Sequence, residues 1–211
     1  KKATGNIIGV LHADDFFADR SILKKISHTH DKDKSIDLTY GNVLFCKRNN
    51  VKKISRYWKS SNYKKNLINK GWMPPHTTLF IKKRIYNKIN YSNKYNISAD
   101  YEFIIKLFSK KINSKYMDLN MLVMRLGGIS TSIYTLLEKT YEDIKVLKSF
   151  NKNYLKIIPY KILSKLNQLF VGKLKRYSLN EVIGDELLVY SNIINELKNK
   201  KDGFILSGLN L

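Results

Sequence analysis

Two adjacent carboxylates follow an apolar run near the start of the chain, and this arrangement constrains the fold more than any other feature. The apolar residues of 7–11 predict a buried strand, and Asp14 and Asp15 lie just beyond its end. Carboxylates in that position are costly to bury unless they face a cleft that holds a cation or hydrogen-bond donors. Mg²⁺ and Mn²⁺ are the cations that take such oxygens. The alternative to a metal site is that Asp14 and Asp15 form a turn or a helix cap. An amphipathic helix is predicted to follow over 16–28.

The charge of the chain argues against nucleic acid as a partner. The formal net charge is +22, but only 6 of the 39 basic residues are Arg. Arg is the residue of bidentate phosphate and base recognition, whereas a Lys-rich surface is more typical of a solvated face or of attraction to anionic lipid. No apolar run reaches the roughly 18 residues that a membrane-spanning helix needs. The single Cys46 cannot form a disulfide within the chain, favours a reducing compartment and is expected to be buried.

Five short motifs follow one another along the first part of the chain. In chain order they are 3–15 (ATGNIIGVLHADD), 40–43 (YGNV), 73–80 (MPPHTTLF), 97–103 (ISADYEF) and 126–130 (LGGIS). Together and in this order they resemble the motifs of family 2 glycosyltransferases with the GT-A fold. The resemblance covers roughly residues 1 to 135.

The resemblance implies an α/β fold, in which part of a GT-A-like mixed sheet flanked by helices is followed by a helical C-terminal region. It implies that Asp15, together with Asp14, holds Mn²⁺ or Mg²⁺, and that Asp14 also faces the substrate. Asp100 occupies the position of the general base. His76 lies on the acceptor side, where it is expected to contact an acceptor hydroxyl or a donor phosphate. Glu102 is a further substrate-binding carboxylate and the fallback base.

The activity implied by the resemblance is inverting transfer of a sugar from a nucleotide-diphosphate donor to a cell-surface polysaccharide or a lipid-linked glycan, such as a lipopolysaccharide precursor. This chemistry needs stabilisation of the departing diphosphate and a proton acceptor for the attacking hydroxyl. An anionic membrane surface is a further expected partner, and the expected location is the cytoplasm, at the inner face of the cell membrane. The alternatives are a basic nucleic-acid-binding module and an inert lipid-associating domain.

Each candidate residue also has a plain structural interpretation. Asp100 opens a predicted helix, where a capping residue contributes about 0.5–1 kcal/mol. His76 follows Pro74 and Pro75, which make a rigid turn in which the imidazole can serve structural bonds only. Two positions along a helix place Glu102 about 200 degrees around the axis from Asp100. The remaining histidines are expected to have no functional role, and they are His12, His28 and His30.

The chain divides into three predicted segments. Residues 1–135 form the C-terminal part of the transferase domain, with a β-hairpin over 36–57 and a strand over 77–81. Residues 136–176 form a basic amphipathic helical region that either lies on an anionic membrane or packs against the catalytic domain. Residues 177–211 form a helix and a truncated strand, where another domain can begin. We expect a fragment at both ends that lacks the nucleotide-base half of the resembled family.

Overall fold

The computed structural model describes residues 3–47, 50–89, 91–126 and 133–174, in which six strands form one mixed sheet. The strands are β1 (Ile7–Ile8), β2 (Phe16–Phe17), β3 (Leu38–Lys47), β4 (Asn50–Trp58), β5 (Phe80–Lys82) and β6 (Ser114–Leu126). Their order is β1-β5-β3-β6-β2, and β4 also pairs with β3. The β3–β6 pair is parallel and the other pairs are antiparallel.

Strand β3 is the centre of the sheet, and one of its edges contains a gap. The strand is buried from Leu38 to Cys46, as expected for an apolar strand covered on both faces. One edge pairs with β6 along the strand, whereas the other pairs with β5 at residues 38–39 and with β4 at 43–47. Residues 40–42 therefore have no strand partner on that second edge, and the segment between β4 and β5 approaches them there.

Five helices surround the sheet in the described part of the chain. They are α1 (Ile22–Lys32), α2 (Lys83–Tyr86), α3 (Ala99–Ser109), α4 (Ile133–Ser149) and α5 (Tyr154–Leu174). Apolar side chains of α3 pack with Leu38, Tyr40 and Ile81, while those of α1 pack with Val43 and Met121. Helix α5 packs against β4 and α4.

The predicted fold class is confirmed, since a mixed sheet is flanked by helices and followed by a helical C-terminal region. The hairpin over 36–57 is present as β3 and β4, and the helix predicted from Ala99 is α3. Cys46 is buried, as expected. Residues 127–130 of the last motif and the segment predicted over 177–211 lie outside the described residues.

Three local predictions were wrong. The strand expected over 7–11 ends at Ile8, and the helix expected over 16–28 begins only at Ile22. Residues Phe16–Phe17 instead form β2, because their backbone pairs with β6, a long strand that sequence patterning did not reveal. The strand expected over 77–81 begins at Phe80, after a 3₁₀ turn over His76–Thr78. For Phe16–Phe17, backbone pairing with a distant strand overrode the helical spacing of the sequence.

Candidate active site

A turn over 75–78 fills the gap in the edge of β3 and carries His76. The hydroxyl of Thr78 donates to the carbonyl oxygen of Pro75 at 2.8 Å and accepts from the backbone N–H of Gly41 at 3.3 Å. Thr77 and Thr78 are fully buried, whereas the imidazole of His76 is about a quarter exposed. The turn is thus anchored to the central strand through Thr78, and His76 points away from the sheet core.

Helix α4 fixes the start of α3, where Asp100 lies. The carboxylate of Glu142 accepts the backbone N–H groups of Asn96, Ile97 and Ser98 at 3.0, 2.8 and 2.7 Å. Burial raises the pKa of Glu142, but these three donors outweigh burial and leave the pKa below its ordinary value. The hydroxyl of Ser98 donates to Asp143 at 2.7 Å. Sequence reasoning missed this support, because 45 residues separate Ser98 from Asp143.

His76 and Asp100 are in direct contact. The distance from His76 Nδ1 to Asp100 Oδ2 is 3.2 Å, and the other carboxylate oxygen accepts the Tyr101 backbone N–H at 2.7 Å. Lys139 Nζ lies 3.8 Å from Asp100 Oδ1. His76 and Asp100, which are 24 positions apart in the sequence and were each predicted as site residues, are therefore in direct contact.

The electrostatics of the pair favour an ionised carboxylate and a neutral imidazole. Burial raises the pKa of Asp100, but His76, Lys139 and the Tyr101 N–H outweigh burial and leave it below its ordinary value. Burial lowers the pKa of His76; Asp100 opposes this shift, and His12 and Lys139 reinforce it. With Nδ1–H donated to the carboxylate, Nε2 is the basic nitrogen of His76. The pair can thus accept a proton from a bound hydroxyl.

His12 contacts His76 from the side of the acidic dipeptide. The two Nε2 atoms are 3.3 Å apart, and the rings meet edge to face at a centroid distance of 5.6 Å. The backbone oxygen of His12 accepts the N–H of Asp15 at 3.0 Å. His12 was expected to have no functional role, but the fold places it in contact with His76 and with the backbone of Asp15. No local pattern around His12 signals this contact.

The acidic dipeptide lies in the turn between β1 and β2 rather than at the end of a long strand. Asp15 is 3% exposed, whereas Asp14 is exposed. Burial and the neighbouring charge of Asp14 raise the pKa of Asp15 to about 7, against a smaller opposing effect of Arg125. At neutral pH the carboxyl group of Asp15 is therefore only partly ionised, and a bound cation or a higher pH would ionise it fully.

The two carboxylates suit a divalent cation that is completed by other oxygens. Within the described ranges, no group of three or more His, Cys, Asp or Glu side chains is arranged to hold a metal ion by itself. Mg²⁺, however, is usually held by one or two protein carboxylates together with substrate phosphates. The donor set of Asp14 and Asp15 fits that pattern, and their assignment as metal ligands stays a prediction.

Glu102 does not join the other candidate residues. Its carboxylate is largely buried and pairs with Lys106 one turn along α3, at 3.0 Å. It is not among the residues that line the cleft next to His76 and Asp100. Its orientation agrees with the helical spacing, which turns it away from Asp100.

A cavity of about 370 Å³ opens beside His76 and Asp100, between the turn at 75–78, β4 and α5. Its size is within the range of small-molecule sites, about 300–1,000 Å³. Aromatic side chains of β4 and of the loop that follows it line one wall. The charged residues of the lining are Arg56, Lys59, Asp100, Lys139, Lys161 and Lys165. The candidate proton acceptor therefore lies in the wall of a basic, partly aromatic cavity.

Comparison with known proteins finds a distant similarity. No protein-family model matches the chain. The chain is 24% identical, over 155 residues, to an uncharacterized glycosyltransferase of Methanocaldococcus jannaschii. The chain is a distant homologue of a glycosyltransferase. The match covers 72% of the chain but only 52% of the relative, so the chain spans about half the length of the curated protein it matches.

In the part of the chain that the structure describes, no helix is both long enough and apolar enough to cross a bilayer.

The buried carboxyl group of Asp15 predicts a pH-dependent stability of the metal-free protein. Because its folded pKa is about 7, Asp15 keeps its proton in the folded protein, while the unfolded chain loses it above about pH 4. The wild type therefore loses stability relative to Asp15→Asn as the pH rises from about 4 through about 7, by about 4 kcal/mol in total. Thermal melts of both proteins in EDTA at pH 4 to 8.5 measure the difference. A difference in melting temperature that stays constant with pH would contradict this prediction.

Proposed function

We propose that the chain carries the metal-binding and acceptor side of an inverting glycosyltransferase that resembles family 2 enzymes of the GT-A fold. The donor is a nucleotide-diphosphate sugar, and the acceptor is a cell-surface polysaccharide or a lipid-linked glycan. The observation that carries the proposal is the contact between His76 and Asp100 in the wall of the cavity. The distant homology to a glycosyltransferase supports it.

In this proposal Asp100 is the general base. Its lowered pKa keeps the carboxylate ionised at neutral pH, and its position in the cavity wall makes it accessible to an acceptor hydroxyl. The hydroxyl oxygen forms a bond to the anomeric carbon while the bond from that carbon to the diphosphate oxygen breaks. The hydroxyl proton passes to Asp100, and the diphosphate leaves with the bonding electrons. A single displacement of this kind inverts the anomeric centre.

His76 positions both the base and the acceptor. Its Nδ1–H, 3.2 Å from Asp100 Oδ2, orients the carboxylate, and its Nε2 can accept a hydrogen bond from an acceptor that displaces His12, whose Nε2 lies 3.3 Å away. Neutral His76 performs both tasks, which is consistent with its lowered pKa.

Asp15 and Asp14 would hold Mg²⁺ or Mn²⁺ in the full-length enzyme. A divalent cation bound there supplies Lewis-acid stabilisation of the charge on the departing diphosphate. Because the pKa of Asp15 is about 7, cation binding below that pH displaces its proton. The backbone N–H of Asp15 bonds the backbone oxygen of His12, and the ring of His12 contacts His76, so His12 links the turn that carries Asp15 to the acceptor side.

The outer face of α5 supports a peripheral position at the inner face of the cell membrane. Its exposed large apolar side chains are Leu155, Tyr160, Ile162, Leu163 and Leu166. Several exposed large apolar side chains on one helix are typical of proteins that contact a membrane or a partner. A lipid-linked acceptor would be presented at such a surface.

The proposal predicts metal-dependent nucleotide binding that requires Asp15. UDP, and then GDP, is titrated calorimetrically into the full-length protein with Mn²⁺. The Asp15→Asn variant replaces a charged oxygen ligand by a neutral amide, so we expect nucleotide affinity to fall at least about tenfold. Asp19→Asn is the matched control, because Asp19 is exposed and bonds Ser21 rather than the site. Equal nucleotide affinities of the Asp15→Asn and Asp19→Asn variants would overturn the metal assignment.

A further inference from the structure

Helix α5 turns two lysines toward the cavity and two leucines toward solvent, the reverse of the usual arrangement in a globular protein. Lys161 is 8% exposed and Lys165 is partly buried, and both line the cavity. Leu163 and Leu166, by contrast, are 60% and 57% exposed. These two leucines therefore face outward although α5 packs against β4 and α4. A helix that turns its cations toward a cavity indicates that the cavity is built for charge.

The positive charges of the cavity are only partly neutralised by protein carboxylates. Lys161 pairs with Asp143 at 2.7 Å, and Lys59 pairs with Asp118 at 3.0 Å. In the described part of the chain, no carboxylate lies within ion-pair distance of Lys165. Lys139 is left to share Asp100 with His76.

Arg56 is a second cation without a carboxylate partner among the described residues. Its Nε donates to the neutral oxygen Oε1 of Gln168 at 2.7 Å. The guanidinium lies 4.4 Å from the ring centroid of Phe45 and 5.4 Å from that of Trp58. These contacts hold the guanidinium rigidly in the wall while providing no negative charge.

Burial of these cations has an energetic cost that an anionic ligand would offset. Burial lowers the pKa of Arg56 to about 10. Burial and the nearby charge of Lys139 also lower the pKa of Lys165. Cations that are removed from water without an ionic partner are unfavourable, and bound phosphate or carboxylate groups form strong charge-assisted hydrogen bonds with them.

A tight turn at Gly71 brings the loop after β4 against α5. Gly71 has φ +74°, and a Cβ there would lie 2.8 Å from Cγ of Lys161 and 2.9 Å from the backbone oxygen of Ile157. Only glycine allows both this backbone conformation and this approach. The loop after β4 can therefore pack directly against α5 and close the cavity beside Lys161.

We infer that the cavity binds the acceptor through an anionic group, a phosphate ester or a carboxylate, held by Arg56 and Lys165. A hydroxyl of the same acceptor then reaches His76 and Asp100 in the adjoining wall. This inference rests on the proposed function and specifies its acceptor as an acidic glycan or a phosphate-linked glycan. Asp14 and Asp15 are not part of the cavity lining, so the donor diphosphate is expected outside the cavity.

Metal-free titration of inorganic pyrophosphate into the full-length protein tests the inference. With EDTA present, we expect Lys165→Gln to weaken pyrophosphate binding at least about tenfold. Lys156→Gln removes the same charge from an exposed position of α5 outside the cavity and is expected to bind like the wild type. Arg56→Lys retains the charge but loses the planar guanidinium, and an intermediate affinity is expected.

Equal affinities of the Lys165→Gln and Lys156→Gln variants, or a wild type that binds no pyrophosphate, would overturn the inference. Binding that requires Mn²⁺ and disappears in Asp15→Asn would also overturn it, because the anion would then occupy the donor site; the proposed function would survive that result. Metal-free binding that depends on Lys165 supports the cavity assignment even if metal-dependent nucleotide binding is absent. Thermal melts show whether each variant is folded at the titration temperature.

Discussion

Asp100→Asn is expected to reduce sugar transfer by about 10²–10⁴-fold, the contribution typical of general-base catalysis. The amide is nearly isosteric with the carboxylate, but it cannot accept the proton of the attacking hydroxyl. The anchoring of α3 by Glu142 and Asp143 does not involve the Asp100 side chain, so the variant is expected to fold. Transfer by the full-length enzyme, measured with saturating donor, gives the loss in kcat.

Glu102→Gln is the matched control for this experiment. It makes the same chemical change on the same helix, but its carboxylate pairs with Lys106 outside the cavity, and transfer is expected to be retained. Transfer that survives in Asp100→Asn and is lost in folded Glu102→Gln would assign the base to Glu102. Transfer that survives in both variants would exclude either residue as the base.

Asp143→Ala is expected to destabilise the protein by about 3–5 kcal/mol, the cost typical of breaking a buried ion pair. Asp143 accepts from the Ser98 hydroxyl and from Lys161 Nζ, each at 2.7 Å, and both partners are buried. Lys161 Nζ also lies 3.2 Å from the ring centroid of Tyr101. Without the carboxylate, the ammonium group stays buried beside an aromatic ring with no ionic partner.

Urea unfolding of the full-length protein measures this loss, and a double variant separates its causes. Replacing both partners, as in Asp143→Leu with Lys161→Met, removes the charges together and is expected to recover most of the lost stability. A loss below about 1 kcal/mol in Asp143→Ala would mean that solvent reaches Lys161 and that the pair behaves as a surface ion pair.

Sequence patterning predicted the elements whose conformation depends on local residues. The hairpin of β3 and β4 has β-branched and aromatic residues on both sides of a polar turn. Helix α3 begins at the motif that contains Asp100, and its apolar positions recur with helical spacing. The roles of the candidate site residues came instead from the resemblance of the five motifs to those of family 2 glycosyltransferases. The contact of His76 with Asp100 agrees with both assignments, although their catalytic roles stay predictions.

Other elements could not be predicted because distant parts of the chain determine them. The residues of β2 have the spacing of a helix, but hydrogen bonds with β6 make them a strand. His12 gave no local signal, and it enters the site only because β1 and the turn at 75–78 are neighbours across the sheet.

The sequence by itself determined the class of fold, the order of the acidic, histidine and helix-start motifs, and the excess of positive charge. Only the tertiary structure decided where that charge lies. Periodicity describes the two sides of α5 but does not say which side faces inward, because that choice depends on the partners available. Here Asp143 and the cavity lined by Arg56 lie opposite the lysines, so Lys161 and Lys165 turn inward and Leu163 stays exposed.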